Sequence, residues 1–263
     1  MTQPRPQLEI LTAGDWAMTY GDRFALEGVL TATRPRLAIE IGTAQGGSLR
    51  RLAAHSDEVH AIDVVRDERL SLPPNASFHQ GKSSDVLPSL LEAFAKQGRD
   101  VDFVLVDGDH AAAAVRADLE LLLGSPAVER TVILLHDSFS PWVREGIEAA
   151  APTAHAKVAL CQLDLVCGGV WGGGPFENQM WGGFALVLVD DRFSGRRLDR
   201  MEIWLDGPRS APTSFDAWET VVRAEPVVAS LRARDATKLD RMLARMRRRL
   251  RRGAPEVGSP PGA

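Results

Sequence analysis

Val101-Asp-Phe-Val-Leu-Val-Asp-Gly-Asp-His110 and Val132-Ile-Leu-Leu-His136-Asp137-Ser138 decide the fold of this chain. Each begins as an apolar, β-branched run, the pattern of a strand buried on both faces of a parallel sheet, and each ends abruptly in acids and histidines. Both place ionisable groups at a strand's carboxyl end, where open α/β sheets bind their ligands. Asp107, Asp109, His110, His136 and Asp137 can converge there into a divalent-cation site with a base beside it.

Upstream, Leu37-Ala-Ile-Glu40-Ile-Gly42-Thr-Ala44-Gln-Gly46-Gly-Ser48 reads as a strand, a small-residue turn and the start of a helix. It departs from the dinucleotide pattern G-x-G-x-x-G, whose turn approaches a pyrophosphate and needs no acid inside the strand end. Glu40, two positions before the first glycine, suits a ligand with a cationic amino-acid portion instead. The next strand, Val59-His-Ala-Ile-Asp63, ends in an acid about 20 residues beyond Gly42, the spacing at which a carboxylate grips a ribose hydroxyl pair. A nucleoside with an amino-acid tail satisfies both acids.

Glu40-x-Gly42-x-Ala44-x-Gly46 followed by Asp63 resembles the cofactor site of class I S-adenosylmethionine-dependent methyltransferases. Gly81-Lys-Ser83-Ser84-Asp85 resembles the adenine turn of the catechol-type, metal-dependent O-methyltransferases, and Met18-Thr-Tyr20-Gly21-Asp22 stands where those enzymes cover the methionine end of the cofactor. Still more similar is the subgroup typified by macrocin O-methyltransferase and the cephamycin-cluster methyltransferase, with an Asp-Gly-Asp-His-like strand end and a paired-acid strand end. The resemblance spans about residues 16 to 190. It implies S-adenosylmethionine contacts at Met18, Tyr20, Glu40, Gly42, Ala44, Ser48, Asp63, Ser83, Ser84 and Asp107. It further implies a divalent metal, magnesium or manganese, at Asp107, His136 and Asp137, with His110 as the base. His136 departs from the acid usual at its position, and an imidazole is a softer donor than magnesium prefers. With an ordinary pKa near ~6.5, His110 is expected to accept a proton at neutral pH.

Simpler roles stand beside these. Asp109 suits a helix cap before the alanine-rich run from Ala111, Ser83 and Ser84 can merely start a helix at Asp85, and His136 alone can be a satisfied core histidine. At 263 residues and 44% hydrophobic content the chain holds one large α/β domain with appendages, and a net charge of -4 argues against a surface wholly given to nucleic acid. Cys161 and Cys167 lack a zinc or redox spacing, which points to a reducing compartment. Without a long apolar run or a signal-peptide pattern, a cytoplasmic protein is expected.

The order of strands and helices predicts a Rossmann-like α/β fold with a mostly parallel seven-stranded sheet and an antiparallel last strand. Strands are expected near 37 to 42, 58 to 63, 76 to 80, 101 to 107, 131 to 136, 157 to 163 and 184 to 189. Residues 1 to 36 are expected to form a helical cap, 37 to 205 the S-adenosylmethionine-binding catalytic domain, 206 to 252 a helical appendage and 253 to 263 a disordered tail. The 167 to 183 loop, with Trp171, Phe176 and Trp181 among glycines, is read as an aromatic wall for the acceptor. The arginine-rich helix from Val227 to Arg252 is assigned to docking or homo-oligomerisation ahead of membrane or nucleic acid. The expected activity is methylation of a hydroxyl on a vicinal diol, on a sugar of a natural product or on a catechol. The rivals are a metal-independent RNA methyltransferase and a non-catalytic cofactor-binding module.

Overall fold

The computed structural model describes Ile10, residues 16–171 and residues 179–190, all within the first of two compact units, Met1–Phe215. Phe176, the basic helix expected from Val227 to Arg252 and the tail expected from 253 to 263 lie outside the described residues. Seven strands form the main sheet: β1 Leu37–Ile41, β2 Glu58–Asp63, β3 Ala76–Gln80, β4 Phe103–Val106, β5 Arg130–His136, β6 Val158–Val166 and β9 Phe184–Asp190. Their order is β3-β2-β1-β4-β5-β9-β6, parallel except for β9, which runs antiparallel to both β5 and β6. That is a Rossmann-like α/β sheet, mostly parallel with its last strand antiparallel, as the sequence leads one to expect. A two-residue pair, β7 Gly169–Val170 with β8 Met180–Trp181, turns part of the expected 167 to 183 loop into a small hairpin.

Helices α1 Tyr20–Thr33 and α2 Gly47–His55 cover one face of the sheet, and α3 Ser83–Lys96, α4 Ala112–Gly124 and α5 Pro141–Ala149 cover the other. Strand alternation sorts the side chains between the two layers. Leu37, Ile39 and Ile41 of β1, Val104 and Val106 of β4, and Ile133 and Leu135 of β5 pack under α3, α4 and α5. Ala38, Phe103, Leu105 and Leu134 pack under α1 and α2. Each fully buried Leu, Ile or Phe contributes roughly 1.5–3 kcal/mol of transfer free energy, so both layers hold the sheet strongly. The same parity sends Glu40 and His136, at the strands' carboxyl ends, toward the layer that α1 covers.

Local signals set the element ends. Thr19 caps α1 through a capping box with Asp22. β4 is shorter than the strand expected from 101 to 107, and just ahead of it the Asp102 carboxylate accepts from the backbone N–H groups of Arg36 and Leu37. Helix α3 begins at Ser83, two residues ahead of the start expected at Asp85. No helix among the described residues is long and apolar enough to cross a membrane.

Candidate active site

The register of the parallel ladders gathers the site. Val106 of β4 pairs with Ile41 of β1 on one side and Leu135 of β5 on the other, so Gly42, Asp107 and His136 leave the sheet at one level. Gly42 has φ +88°, and a Cβ there would lie 2.1 Å from the Asp107 carbonyl oxygen. Only glycine lets β1 and β4 approach so closely at this end.

On the β1 side, Glu40 is shut off from solvent and neither carboxylate oxygen has a well-formed hydrogen bond. Burial pushes its pKa up to about 8, against a partial offset from the Ser48 and Thr43 hydroxyls, while Asp107 and Asp63 add repulsion. A buried carboxyl group of this kind, held largely neutral without a ligand, can ionise against a cationic ligand group. Asp63 is committed more locally than the ribose reading anticipates: its Oδ2 accepts from the N–H groups of Thr43 and Ala44, both at 2.9 Å, and its Oδ1 from Val65 at 3.1 Å. It thereby holds the glycine turn, including Ala44 at φ 44°. Ser84 reaches only its neighbour Asp85, and Ser83 lies against buried Asp118. Met18 is buried in the α1–α2 layer, whereas Tyr20 is 59% exposed.

On the β4–β5 side the structure brings Asp107, His136 and Asp137 together, with one ligand atom of each within 4.8 Å of the others. His136 Nδ1 lies 2.9 Å from Asp107 Oδ1 and 3.5 Å from Asp137 Oδ2. His110 Nε2 lies 3.0 Å from Asp137 Oδ2 and 3.8 Å from Asp107 Oδ1. Asp137 holds φ 54°, an unusual conformation for a residue with a side chain, and Gly182 N–H donates to its Oδ1 at 2.6 Å. Asp109 instead accepts from the N–H of Ala111 just ahead of α4, a turn role close to the simpler reading.

The charges settle against one another. Burial alone would raise the Asp107 pKa, but the two histidines hold it at about 2. Burial opposes the charge on His110, yet hydrogen bonds and charge from Asp107 and Asp137 lift its pKa to about 9. This corrects the expectation of an ordinary histidine titrating near ~6.5. His136, also buried, is raised well above its usual range, chiefly by Asp107 and Asp22.

Asp22 is the residue that sequence reasoning missed. Fully buried at the start of α1, it lies 3.4 Å from His136 Nε2 and accepts from Gly183 N–H at 3.0 Å. Its only local signal is Thr19-x-x-Asp22, which says cap and nothing of a partner on β5. Around the mouth, Trp181 meets His110 edge-on at 5.2 Å between ring centres, and Trp142 lies 6.3 Å from Trp181. Trp142 and Trp171 are both exposed.

Residues 39–138, which run from within β1 to just past β5, match the family described as "Methyltransferase domain". No curated protein matches the sequence. Among solved structures, an O-methyltransferase from Bacillus cereus in complex with SAH is similar at 18% identity and a TM-score of 0.49, over 72% of this chain and 94% of that one. The O-methyltransferase TomG from Streptomyces achromogenes, involved in tomaymycin synthesis and in complex with SAM, is similar at 16% identity and 0.47, over 72% and 92%. The MycE methyltransferase of the mycinamycin biosynthetic pathway, in complex with Mg, SAH and mycinamycin VI, is similar at 15% identity and 0.48, over 74% of this chain and 54% of that one.

Proposed function

We propose that the protein is an S-adenosylmethionine-dependent O-methyltransferase that acts on one hydroxyl of a vicinal diol, on a sugar of a natural product or on a catechol, with a divalent cation beside the acceptor. One observation carries the reading: the buried, unpaired Glu40 carboxylate faces the same strand-end level as the Asp107, His136 and Asp137 cluster, inside the segment that matches a methyltransferase domain. Glu40 fits the cofactor's ammonium group, and the glycine turn leaves room for its backbone approach.

Two carboxylates and an imidazole are a donor set that fits a divalent ion, and Asp107, Asp137 and His136 would hold it. When bound, the ion lends Lewis acidity to an acceptor oxygen, while the cofactor brings a methyl group already activated by positive sulfur. The chain's part is placement and proton traffic. Trp181 and Trp142 border the space beside His110, and His110 removes the hydroxyl proton at Nε2. Only neutral imidazole can do so. With Asp107 and Asp137 committed to a cation, their charge no longer holds the proton on His110, and its pKa falls back toward the usual histidine range.

Titration calorimetry with S-adenosylhomocysteine, followed by methyl-transfer assays on catechol and sugar diols with and without chelator, tests the reading. Cofactor binding with chelator-sensitive transfer is expected. Transfer to RNA that persists in chelator overturns it in favour of a metal-independent enzyme. Cofactor binding with no turnover on any diol overturns it in favour of a non-catalytic module.

A further inference from the structure

We infer that Asp22 is a positioning residue for His136: when a cation takes the place of the proton that Nδ1 shares with Asp107, Asp22 keeps the remaining ring proton on Nε2 and leaves the Nδ1 lone pair facing the space shared by Asp107 and Asp137. The cation site thereby gains a nitrogen donor and a preference for manganese, cobalt or a similar borderline ion over magnesium. This rests on the cation site of the proposed function.

The geometry carries the argument. Asp22 Oδ2 accepts from the Thr19 N–H at 3.1 Å and from its hydroxyl at 2.7 Å, and the same oxygen lies 3.4 Å from His136 Nε2. Oδ1 accepts from Gly183 N–H at 3.0 Å. A carboxylate that merely caps a helix works from the surface, whereas Asp22 has no exposed area and stands behind an imidazole that is itself 4% exposed. The ring thus has one nitrogen against an acid withdrawn from the centre and the other against the two acids that border it. A carboxylate behind a ligating histidine fixes the tautomer and strengthens the nitrogen as a donor. Nitrogen in place of oxygen shifts preference toward later first-row ions.

Manganese, cobalt and magnesium are titrated into the wild type, Asp22→Asn and Thr19→Val, with affinities read by calorimetry and nitrogen coupling to bound manganese read by pulsed electron paramagnetic resonance. In Asp22→Asn the amide oxygen can keep the bond from Gly183, which turns the amide N–H group toward Nε2 and sends the ring proton to Nδ1. Manganese and cobalt affinity should fall about 10 to 100-fold, and the nitrogen coupling should vanish. S-adenosylhomocysteine affinity without metal should hold. Thr19→Val, which breaks the capping box and spares Asp22, should keep both affinity and coupling.

Wild-type affinity and coupling in Asp22→Asn, or an equal loss in Thr19→Val, would show a cap and nothing more. Nitrogen-15 resonances of the zinc-loaded wild type need no variant: a His136 proton found on Nδ1 overturns the inference by itself. A wild type that takes up none of the ions removes this inference together with the cation part of the proposed function. A wild type that binds them without nitrogen coupling removes this inference alone.

Discussion

Glu40 is kept in the apolar end of β1 against a desolvation cost that an ordinary core would not carry, and its pKa of about 8 records that cost. The folded state therefore binds this proton more tightly than the unfolded chain, whose glutamate titrates near ~4.3. Stability from this group is present at low pH and drains away as pH rises through about 8. Thermal melts of ligand-free protein at pH 5.5 and 8.5 should show the loss, and Glu40→Gln should flatten it; equal slopes in the two proteins would contradict the burial. Loss of the charge should also weaken S-adenosylhomocysteine binding by about 10-fold or more, since a hydrogen bond to a charged group contributes roughly 1.5–3 kcal/mol.

His110 invites a second test at the same scale. His110→Ala should lower turnover by about 10² to 10⁴-fold with cofactor affinity near wild type. In wild type the rising limb of turnover should lie below about 9, the value set by Asp107 and Asp137 with no cation present, and should move up when metal is limiting. Near-normal turnover with an unchanged pH profile in the variant would remove His110 from the chemistry.

At the scale of elements, the strand ends were the legible part of the site. Asp107, His110, His136 and Asp137 each terminate or follow an apolar run, and the chain's alternation of strands and helices brings such ends to one edge of a parallel sheet. Asp22 was illegible because its role depends on which face α1 covers, and that follows from packing rather than from spacing. Asp63 was half legible: its place at the end of β2 could be read, but its bonds to the N–H groups of Thr43 and Ala44 could not. The same turn makes Gly42 a test of the fold rather than a clean probe of the cofactor. Even Gly42→Ala sets a Cβ against the Asp107 carbonyl at positive φ, and should cost about 1–3 kcal/mol. A melting temperature unchanged in that variant would show that β1 and β4 can part without penalty.

For the whole molecule, the strands and their mostly parallel sheet could be read from the sequence, whereas the order β3-β2-β1-β4-β5-β9-β6 could not. The insertion of β9 between β5 and β6 was visible only as an antiparallel last strand, since local pattern does not say which neighbours a strand takes. Methyl transfer should stop in excess chelator and return with manganese at least as well as with magnesium, measured on whichever diol the protein accepts. Exclusive activation by magnesium would count against His136 as a ligand.

The bonds of Asp22 join residues 114 and 161 positions apart, to His136 and to Gly183. Such contacts close long loops, and closures of that length form slowly because their entropy is lost before any contact repays it. On a ribosome, the first helix must wait for Gly183 to emerge before its buried acid finds all its partners. The edge that carries Asp107, His136 and Asp137 is thus among the last regions to mature. A refolding experiment should recover sheet signal ahead of metal uptake, with an interval in which the protein is compact and inert.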